Sequence, residues 1–160
     1  TVNDLEITND AGVLSTVAIK DTDTFVSIEN VTGSDHADNL TGNLGDNIIS
    51  AGAGDDTVDG GAGDDQLIGG AGSDTIQGGL GNDVAVFAGN HSDYTFASSE
   101  DGLTVTVTDG ETGDADDITG VETLRFDDLD VSVSQDANGL VLTGSSEKFR
   151  ERSQRVDACW

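Results

Sequence analysis

The chain has 160 residues, of which 32 are acidic and six are basic, so its formal charge at pH 7 is −26. Nucleic acid and anionic membrane surfaces are poor partners for such a chain, because both are bound through a basic footprint. The sequence has no apolar run of membrane-spanning length, no N-terminal signal peptide and only one cysteine, Cys159, which excludes an internal disulfide.

Residues 1–32 alternate between apolar and polar side chains in three short stretches, around residues 5–7, 17–19 and 25–28. Alternation of this kind predicts short strands. We expect this segment to form cap strands that cover one end of the element that follows, because an open end exposes backbone edges and core side chains. The chain begins at Thr1 rather than at methionine, so we expect it to be a piece of a longer protein.

Residues 33–86 repeat every nine residues. The six units, numbered 1 to 6, read GSDHADNLT, GNLGDNIIS, AGAGDDTVD, GGAGDDQLI, GGAGSDTIQ and GGLGNDVAV. Small residues open each unit, an acid or amide stands at position 6, and an aliphatic stands at position 8, with only Ala85 in the last unit. Three columns held in phase are not expected of a disordered acidic linker, which is the alternative interpretation of a Gly- and Asp-rich sequence.

The repeat has a physical interpretation as an ion-binding turn. Glycine permits the tight turns in which carbonyl oxygens converge. Calcium takes about six to eight oxygens from carboxylates and carbonyls, so one turn that ends in Asp supplies about half of a site. Each unit makes half a coil, so an ion is expected between unit n and unit n+2, and six units give about four ions.

The stacked turns fall into two columns. Asn47 is expected to pair with Asp65 and then with Asp83, while Asp38 pairs with Asp56 and Asp74. The predicted metal ligands are Gly33, Asp38, Gly42, Leu44, Gly45, Asn47, Ala51, Ala53, Gly54, Asp56, Gly60, Ala62, Gly63, Asp65, Gly69, Ala71, Gly72, Asp74, Gly78, Leu80, Gly81 and Asp83. The turns ending in Asp56, Asp65 and Asp74 match the pattern best, because the first two units depart from it.

Positions 7 to 9 are predicted to form a strand of three residues whose middle side chain points inward. One buried aliphatic per half coil contributes only about 1.5–3 kcal/mol before the entropy of ordering the chain is subtracted. Calcium must therefore supply much of the stability.

These units resemble the RTX nonapeptide G-G-x-G-x-D-x-U-x of secreted bacterial proteins. The resemblance implies an all-β fold, a right-handed parallel β-roll, with bound calcium. It also implies type I export of a bacterial extracellular protein that folds on meeting external calcium. The partners it implies are the type I secretion channel in transit and the other domains of the parent protein.

Residues 87–144 are predicted to form a C-terminal β cap, with a sandwich-like packing as the alternative. Leu103, Val105 and Val107 mark one strand, and the segment DDITGVETLRF offers the apolar anchors Ile118, Val121, Leu124 and Phe126. Residues 145–160 hold four of the six basic residues. This tail is expected to be disordered; an export signal, a basic arm lying on the acidic roll and a remnant of expression remain open as its origin.

No catalytic site is predicted. The sequence has neither H-E-x-x-H nor G-x-S-x-G, and His36 and His91 are interpreted as isolated loop histidines. Three rival functions remain: a polyuronate- or alginate-binding R-type module of an epimerase, a spacer module of an adhesin, and a fragment of an enzyme.

Overall fold

The computed structural model describes residues 3–8, 14–19, 23–24, 29–100, 102–136 and 139–144. The predicted strand at residues 25–28, the basic tail and Cys159 lie outside the described residues. The strands are β1 Asn3–Thr8, β2 Leu14–Ile19, β3 Asp23–Thr24, β4 Asn30–Thr32, β5 Asn39–Thr41, β6 Ile48–Ala53, β7 Thr57–Ala62, β8 Gln66–Ala71, β9 Thr75–Leu80, β10 Val84–Val86, β11 Tyr94–Ser98, β12 Thr104–Asp109, β13 Ala115–Thr119, β14 Thr123–Arg125, β15 Asp130–Asp136 and β16 Gly139–Gly144, and a short 3-10 helix covers His91–Asp93. Among the residues described, no helix has the length and apolar character needed to cross a membrane.

The strands form two sheets. In the first, the order is β16-β15-β14-β10-β8-β6-β4-β1-β2, and in the second it is β11-β12-β13-β9-β7-β5-β3. Consecutive units of the repeat alternate between the sheets, and units two apart pair in parallel: Ile49 lies opposite Leu67 in the first sheet and Val58 opposite Ile76 in the second. This is the predicted parallel β-roll, with two units in each coil.

The predicted three-residue strand is found in the first and last units, as β5 and β10, but the four strands between them are longer. β6, β7, β8 and β9 each run for six residues, from position 7 of one unit to position 3 of the next. The pairing of Gly52 with Gly70 and of Ala53 with Ala71 continues the ladder through the glycines. Parallel stacking thus extends into the turn, where the sequence carries no strand propensity of its own.

The core is a single row of side chains from each sheet. The position 8 aliphatics are at most 3% exposed, which confirms the predicted inward column: Leu40, Ile49, Val58, Leu67, Ile76 and Ala85. The same row continues beyond the repeats through Ile118 and Leu124, which are 2% and 0% exposed.

Both ends of the roll are covered by further strands. At the N-terminal end, β1 pairs antiparallel with β4 and with β2. At the C-terminal end, β13 and β14 pair in parallel with β9 and β10, so residues 115–125 add a final coil. The antiparallel strands β12 and β15 then pair with β13 and β14, respectively. The predicted anchors Ile118, Val121, Leu124 and Phe126 are all buried.

A small aromatic cluster joins the segment before the final coil to Phe126, which follows that coil. The ring of Phe126 lies 5.2 Å from those of Phe87 and Tyr94 and 5.9 Å from that of Phe96. His91 donates from its backbone to Asp128, and its ring Nδ1 lies 3.2 Å from the same carboxylate. His36 is exposed.

Candidate metal sites

The turns of units 3 to 6 depend on glycine at positions 2 and 4. All eight of these glycines have φ between +98° and +141°, which side chains rarely tolerate. A Cβ on Gly61 would lie 2.5 Å from the carbonyl oxygen of Asn43, which lies two units earlier in the preceding coil. The turns therefore stack backbone against backbone, and this leaves no room for a side chain.

The position 6 side chains are buried inside these turns. Asn47, Asp56, Asp65, Asp74 and Asp83 are at most 2% exposed. Burial is possible because one oxygen of each aspartate accepts a backbone N–H from the turn two units earlier. Asp56 Oδ1 accepts from Asp38 at 2.8 Å, and Asp65 Oδ1 accepts from Asn47 at 2.7 Å.

The next coil repeats this arrangement. Asp74 Oδ1 accepts from Asp56 and Asp83 Oδ1 accepts from Asp65, both at 2.9 Å. The structure therefore brings the turns together in the two columns that the sequence predicted.

The second oxygen of four aspartates has no partner. The Oδ2 atoms of Asp56, Asp65, Asp74 and Asp83 are buried without a hydrogen-bond donor. A buried carboxylate oxygen without a donor is costly unless a cation compensates its charge.

Backbone oxygens lie beside these carboxylate oxygens. The Cβ position of Gly60 is 2.5 Å from Asp65 Oδ2 and 2.6 Å from the carbonyl oxygen of Gly78. Carboxylate and carbonyl oxygens that face each other with no donor between them fit a hard divalent cation such as calcium.

Units 1 and 2 have turns of a different kind. Asp38 Oδ2 accepts hydrogen bonds from the backbone N–H of Ser34 at 2.7 Å and from its hydroxyl at 2.9 Å. Asn47 Oδ1 accepts from the N–H of Asn43 at 2.8 Å. Position 2 is not glycine in these units, and its N–H donates to the side chain at position 6. These two turns are closed by their own hydrogen bonds.

The pKa values of the position 6 carboxyls also show that a buried negative charge is unfavourable in these turns. Burial raises the pKa of Asp56 and of Asp65 to about 6, and neighbouring carboxylates add to the effect. Burial also raises the pKa values of Asp74 and Asp83. In the absence of a cation, the folded turn therefore resists holding these charges.

The predicted carbonyl ligands at position 3 have a structural role as well. The carbonyl oxygens of Ala71 and Leu80 accept from Gly54 and Gly63 in the coil below, both at 2.8 Å. Each of these oxygens keeps a second lone pair.

The side chains of Leu44 and Leu80 lie outside the roll and are 88% and 75% exposed. Among the described residues, no group of three or more His, Cys, Asp or Glu side chains is placed to hold a metal.

Sequence analysis missed an outer ladder at position 5. Asp46 Oδ1 accepts the N–H of Asp64, and Asp64 Oδ1 accepts the N–H of Asn82, at 2.8 and 2.9 Å. On the other column, Asp55 accepts from Ser73 at 3.0 Å. Position 5 bonds point towards the following coil and position 6 bonds towards the preceding one, so neighbouring coils are held from both directions.

Two acids of the C-terminal cap continue the position 6 columns. Asp116 Oδ1 accepts the N–H of Asp74, and Glu122 Oε2 accepts the N–H of Asp83, both at 2.8 Å. The signal was present in the sequence, because each acid stands two residues before a buried aliphatic, Ile118 or Leu124, as position 6 stands before position 8. Burial raises the pKa of Asp116 to about 7.

Comparison with known proteins agrees with this geometry. A model of the RTX calcium-binding nonapeptide repeat, which spans four copies of the repeat, matches residues 32–67, 51–85 and 59–92 in overlapping stretches. No curated protein sequence matches this chain.

One similar solved structure is the crystal structure of the extracellular lipase LipA from Serratia marcescens, which covers 65% of this chain at 24% sequence identity with a TM-score of 0.54. The chain spans 18% of the length of that lipase, and the likeness shows a shared fold.

Proposed function

We propose that this chain, whose residues 32–92 match the model of the RTX calcium-binding nonapeptide repeat, is a noncatalytic calcium-folded module of a secreted bacterial protein. The observation that carries the proposal is the set of four buried aspartate oxygens without a donor, in the turns of units 3 to 6. We assign the ions to these turns, with ligands from position 6 and from the carbonyls of positions 1, 3 and 4. The count expected is about four ions.

Calcium concentration then acts as the switch for folding. At the low calcium concentration of a cytosol the chain stays expanded, because its carboxylates repel one another and its core is thin. An expanded chain suits passage through a type I channel. Outside the cell, millimolar calcium folds the roll. The folded module hinders return into the channel and stabilises the domains attached to it.

Each part of the chain has its own role in this calcium-dependent folding. Residues 33–86 form the ion-binding roll, residues 1–32 and 87–144 cap it, and residues 145–160 form the tail. The caps matter because an uncovered last coil would expose both its strand edges and its core side chain.

Far-ultraviolet circular dichroism during a calcium titration tests the proposal. We expect β structure to form as calcium replaces chelator. The double variant Asp65→Asn/Asp74→Asn removes two buried charges. Each asparagine keeps a side-chain oxygen that can still accept the backbone N–H from the turn two units earlier. Its calcium midpoint is expected to rise several-fold.

The matched control is Asp55→Asn/Asp64→Asn, which removes the same charge from position 5, where the carboxylates are exposed. Its midpoint should change much less. An unchanged β spectrum after exhaustive chelation, or equal shifts in the two double variants, would contradict the proposal.

A further inference from the structure

The strand β16 forms the edge of the first sheet at the C-terminal end of the roll. It pairs antiparallel with β15, from Gly144 opposite Val131 to Gly139 opposite Asp136. Among the described strands, β15 is the only one that pairs with it. An edge strand presents a row of unpaired backbone N–H and C=O groups, which can pair with a further strand.

The backbone groups on the open side of β16 belong to its two leucines. The N–H of Val133 in β15 donates to the carbonyl oxygen of Glu122, so the backbone groups of Val133 point away from β16. Opposite residues of an antiparallel pair alternate between bonded and non-bonded pairs. Leu142, which lies opposite Val133, and Leu140 therefore direct their N–H and C=O groups away from β15.

These edge residues are nevertheless shielded from solvent. Leu142 is 1% exposed and Leu140 is 6% exposed, and Gly144 is also buried. By contrast, β11, which forms the edge of the second sheet at the same end of the roll, has no buried residue. Since no described strand pairs with the open side of β16, its burial points to a covering segment outside the described residues.

The chain itself supplies a segment of suitable length and position. Residues 145–160 follow β16 directly, so their effective concentration at its open edge exceeds that of a separate partner. A strand that returns antiparallel along β16 needs only a short connection. With a connection at residues 145–146, Phe149 lies opposite Leu142, and opposite residues share one face of the sheet. Phe149 is the only apolar residue between residues 145 and 155.

Charge favours the same placement. In the part of the chain that the structure describes, Arg125 is the only lysine or arginine, and it pairs with Asp130 at 3.2 Å. The tail leaves Gly144 beside β15, just after the exposed acids Asp127 and Asp128. It carries four of the six bases of the chain: Lys148, Arg150, Arg152 and Arg155.

We propose that residues 147–152 pair antiparallel with the open edge of β16 in the folded module, with Phe149 as the apolar anchor over Leu142. The pairing rests on the proposed calcium-dependent folding, because a hairpin such as β15–β16 is only marginally stable by itself. Calcium then controls access to the basic tail, which is free in the expanded chain and docked in the folded one.

Amide hydrogen exchange of the whole calcium-loaded chain, followed by NMR, tests the pairing. The amides of Leu140 and Leu142 should exchange slowly in the parent chain. Phe149→Ser removes the anchor and should raise both exchange rates by at least about tenfold. The amides of Val141 and Thr143, which point towards β15, should keep their rates, and this shows that β16 itself stays folded.

The matched control is Val156→Ser, which removes an apolar side chain from the same tail but outside the paired stretch. It should leave all four exchange rates unchanged. Trypsin gives a second readout. In calcium, cleavage after Lys148 and Arg150 should be several-fold slower than cleavage after Arg155. This difference should disappear in chelator and in Phe149→Ser, while Val156→Ser keeps it.

The outcomes separate this inference from the proposed function. A chain that stays unordered in millimolar calcium would contradict both. A chain that folds equally well in chelator, with slow Leu142 exchange, would overturn the calcium function alone.

Rapid exchange of Leu140 and Leu142 in a calcium-folded chain would overturn the docking alone, as would slow exchange that persists in Phe149→Ser. Slow exchange that appears only where light scattering detects a dimer would assign the edge of β16 to a second copy, and would also overturn the docking of the tail.

Discussion

At the scale of single residues, position 2 decides what kind of turn each unit makes. Glycine at this position turns its peptide away from position 6 and leaves the aspartate Oδ2 unpartnered, as in units 3 to 6. Serine or asparagine turns the N–H inward and satisfies the oxygen, as at Ser34 and Asn43. Ion binding in this roll therefore depends on a backbone conformation as much as on a carboxylate.

The glycine requirement predicts a difference between two equivalent positions. Gly63 has φ +113°, and a Cβ there would lie 2.5 Å from backbone carbon of Gly45. Gly45, at the same position in unit 2, has no such φ, and its Cβ would meet only the side chain of Asn43 at 3.4 Å. Gly63→Ala should lower the free energy of unfolding in saturating calcium by about 1–3 kcal/mol.

Gly45→Ala is the control and should change the same quantity by less than about 0.5 kcal/mol. Guanidinium unfolding at saturating calcium measures both. Equal losses in the two variants would mean that the φ values do not set the cost.

The raised carboxyl pKa values predict how pH acts on the calcium-free chain. The folded pKa values of Asp56 and Asp65 are about 6 and that of Asp116 is about 7, against an ordinary value of 3.8. A raised folded pKa means that protonation favours the folded state, fully below the unfolded value and no longer once pH exceeds the folded one. In chelator, β structure should therefore increase from pH 8 to pH 5.

Calcium should respond to pH in the opposite direction. The ion needs deprotonated carboxylates, so the calcium midpoint should rise several-fold between pH 8 and pH 5.5. Circular dichroism follows both effects, and sodium chloride at matched ionic strength controls for screening. A calcium-free chain that is equally unordered at both pH values would argue against carboxyl burial as the cause.

Residue roles were only partly predictable from the sequence. The aspartates of position 6 follow from the repeat, because the aliphatic two residues later fixes their register. The Ser34 and Asn43 bonds were not predicted, although the non-glycine residue at position 2 of units 1 and 2 marks these turns in the sequence. The acids of position 5, such as Asp64, look like ligands in the sequence but serve as acceptors between exposed backbones.

At the scale of elements, each half coil rests on one aliphatic side chain. Leu67 is fully buried in the row of the first sheet, whereas Leu80, in the turn of unit 6, is 75% exposed. Both are repeat leucines in strands of equal length. Comparing the two leucines therefore separates the effect of burial on stability from the effect of losing a leucine as such.

Leu67→Ala should lower the free energy of unfolding by about 2–5 kcal/mol in saturating calcium, because it leaves a cavity in a row with no second layer. Leu80→Ala should change it by no more than about 0.5 kcal/mol. Denaturant unfolding of the two variants gives the comparison. Similar values for both would show that ions, and not the aliphatic row, hold the coils together.

The boundaries of the strands depend partly on the sequence and partly on the stacking of the coils. The parallel roll and its inward column were predictable because three columns stay in phase. The six-residue strands were not, because positions 1 to 3 of units 3 to 6 are glycine and alanine apart from Leu80, and they become extended only when a neighbouring coil pairs with them. The final coil at residues 115–125 keeps the spacing of acid and aliphatic but interrupts the turn, so it escapes a search for the full nonapeptide.

At the scale of the whole molecule, the charge of −26 opposes the compact state that the aliphatic row favours. The two position 6 columns bury four of the acids, Asp56, Asp65, Asp74 and Asp83, inside the turns, where water screens their charges poorly. A cation between coils therefore removes repulsion and adds a contact between units two apart. The same step should compact the chain and order it.

Small-angle X-ray scattering can follow this compaction directly. For 160 residues, general scaling gives a radius of gyration of about 42 Å for an unfolded chain and about 15 Å for a compact one. Millimolar calcium should move the value most of the way between these limits, because coordination and neutralisation act together. Magnesium demands a near-octahedral shell and keeps its waters, so the same concentration of magnesium should compact the chain far less. Sodium chloride at matched ionic strength should compact it less than magnesium does. Equal compaction by all three salts would assign the transition to screening and remove the need for coordinated ions.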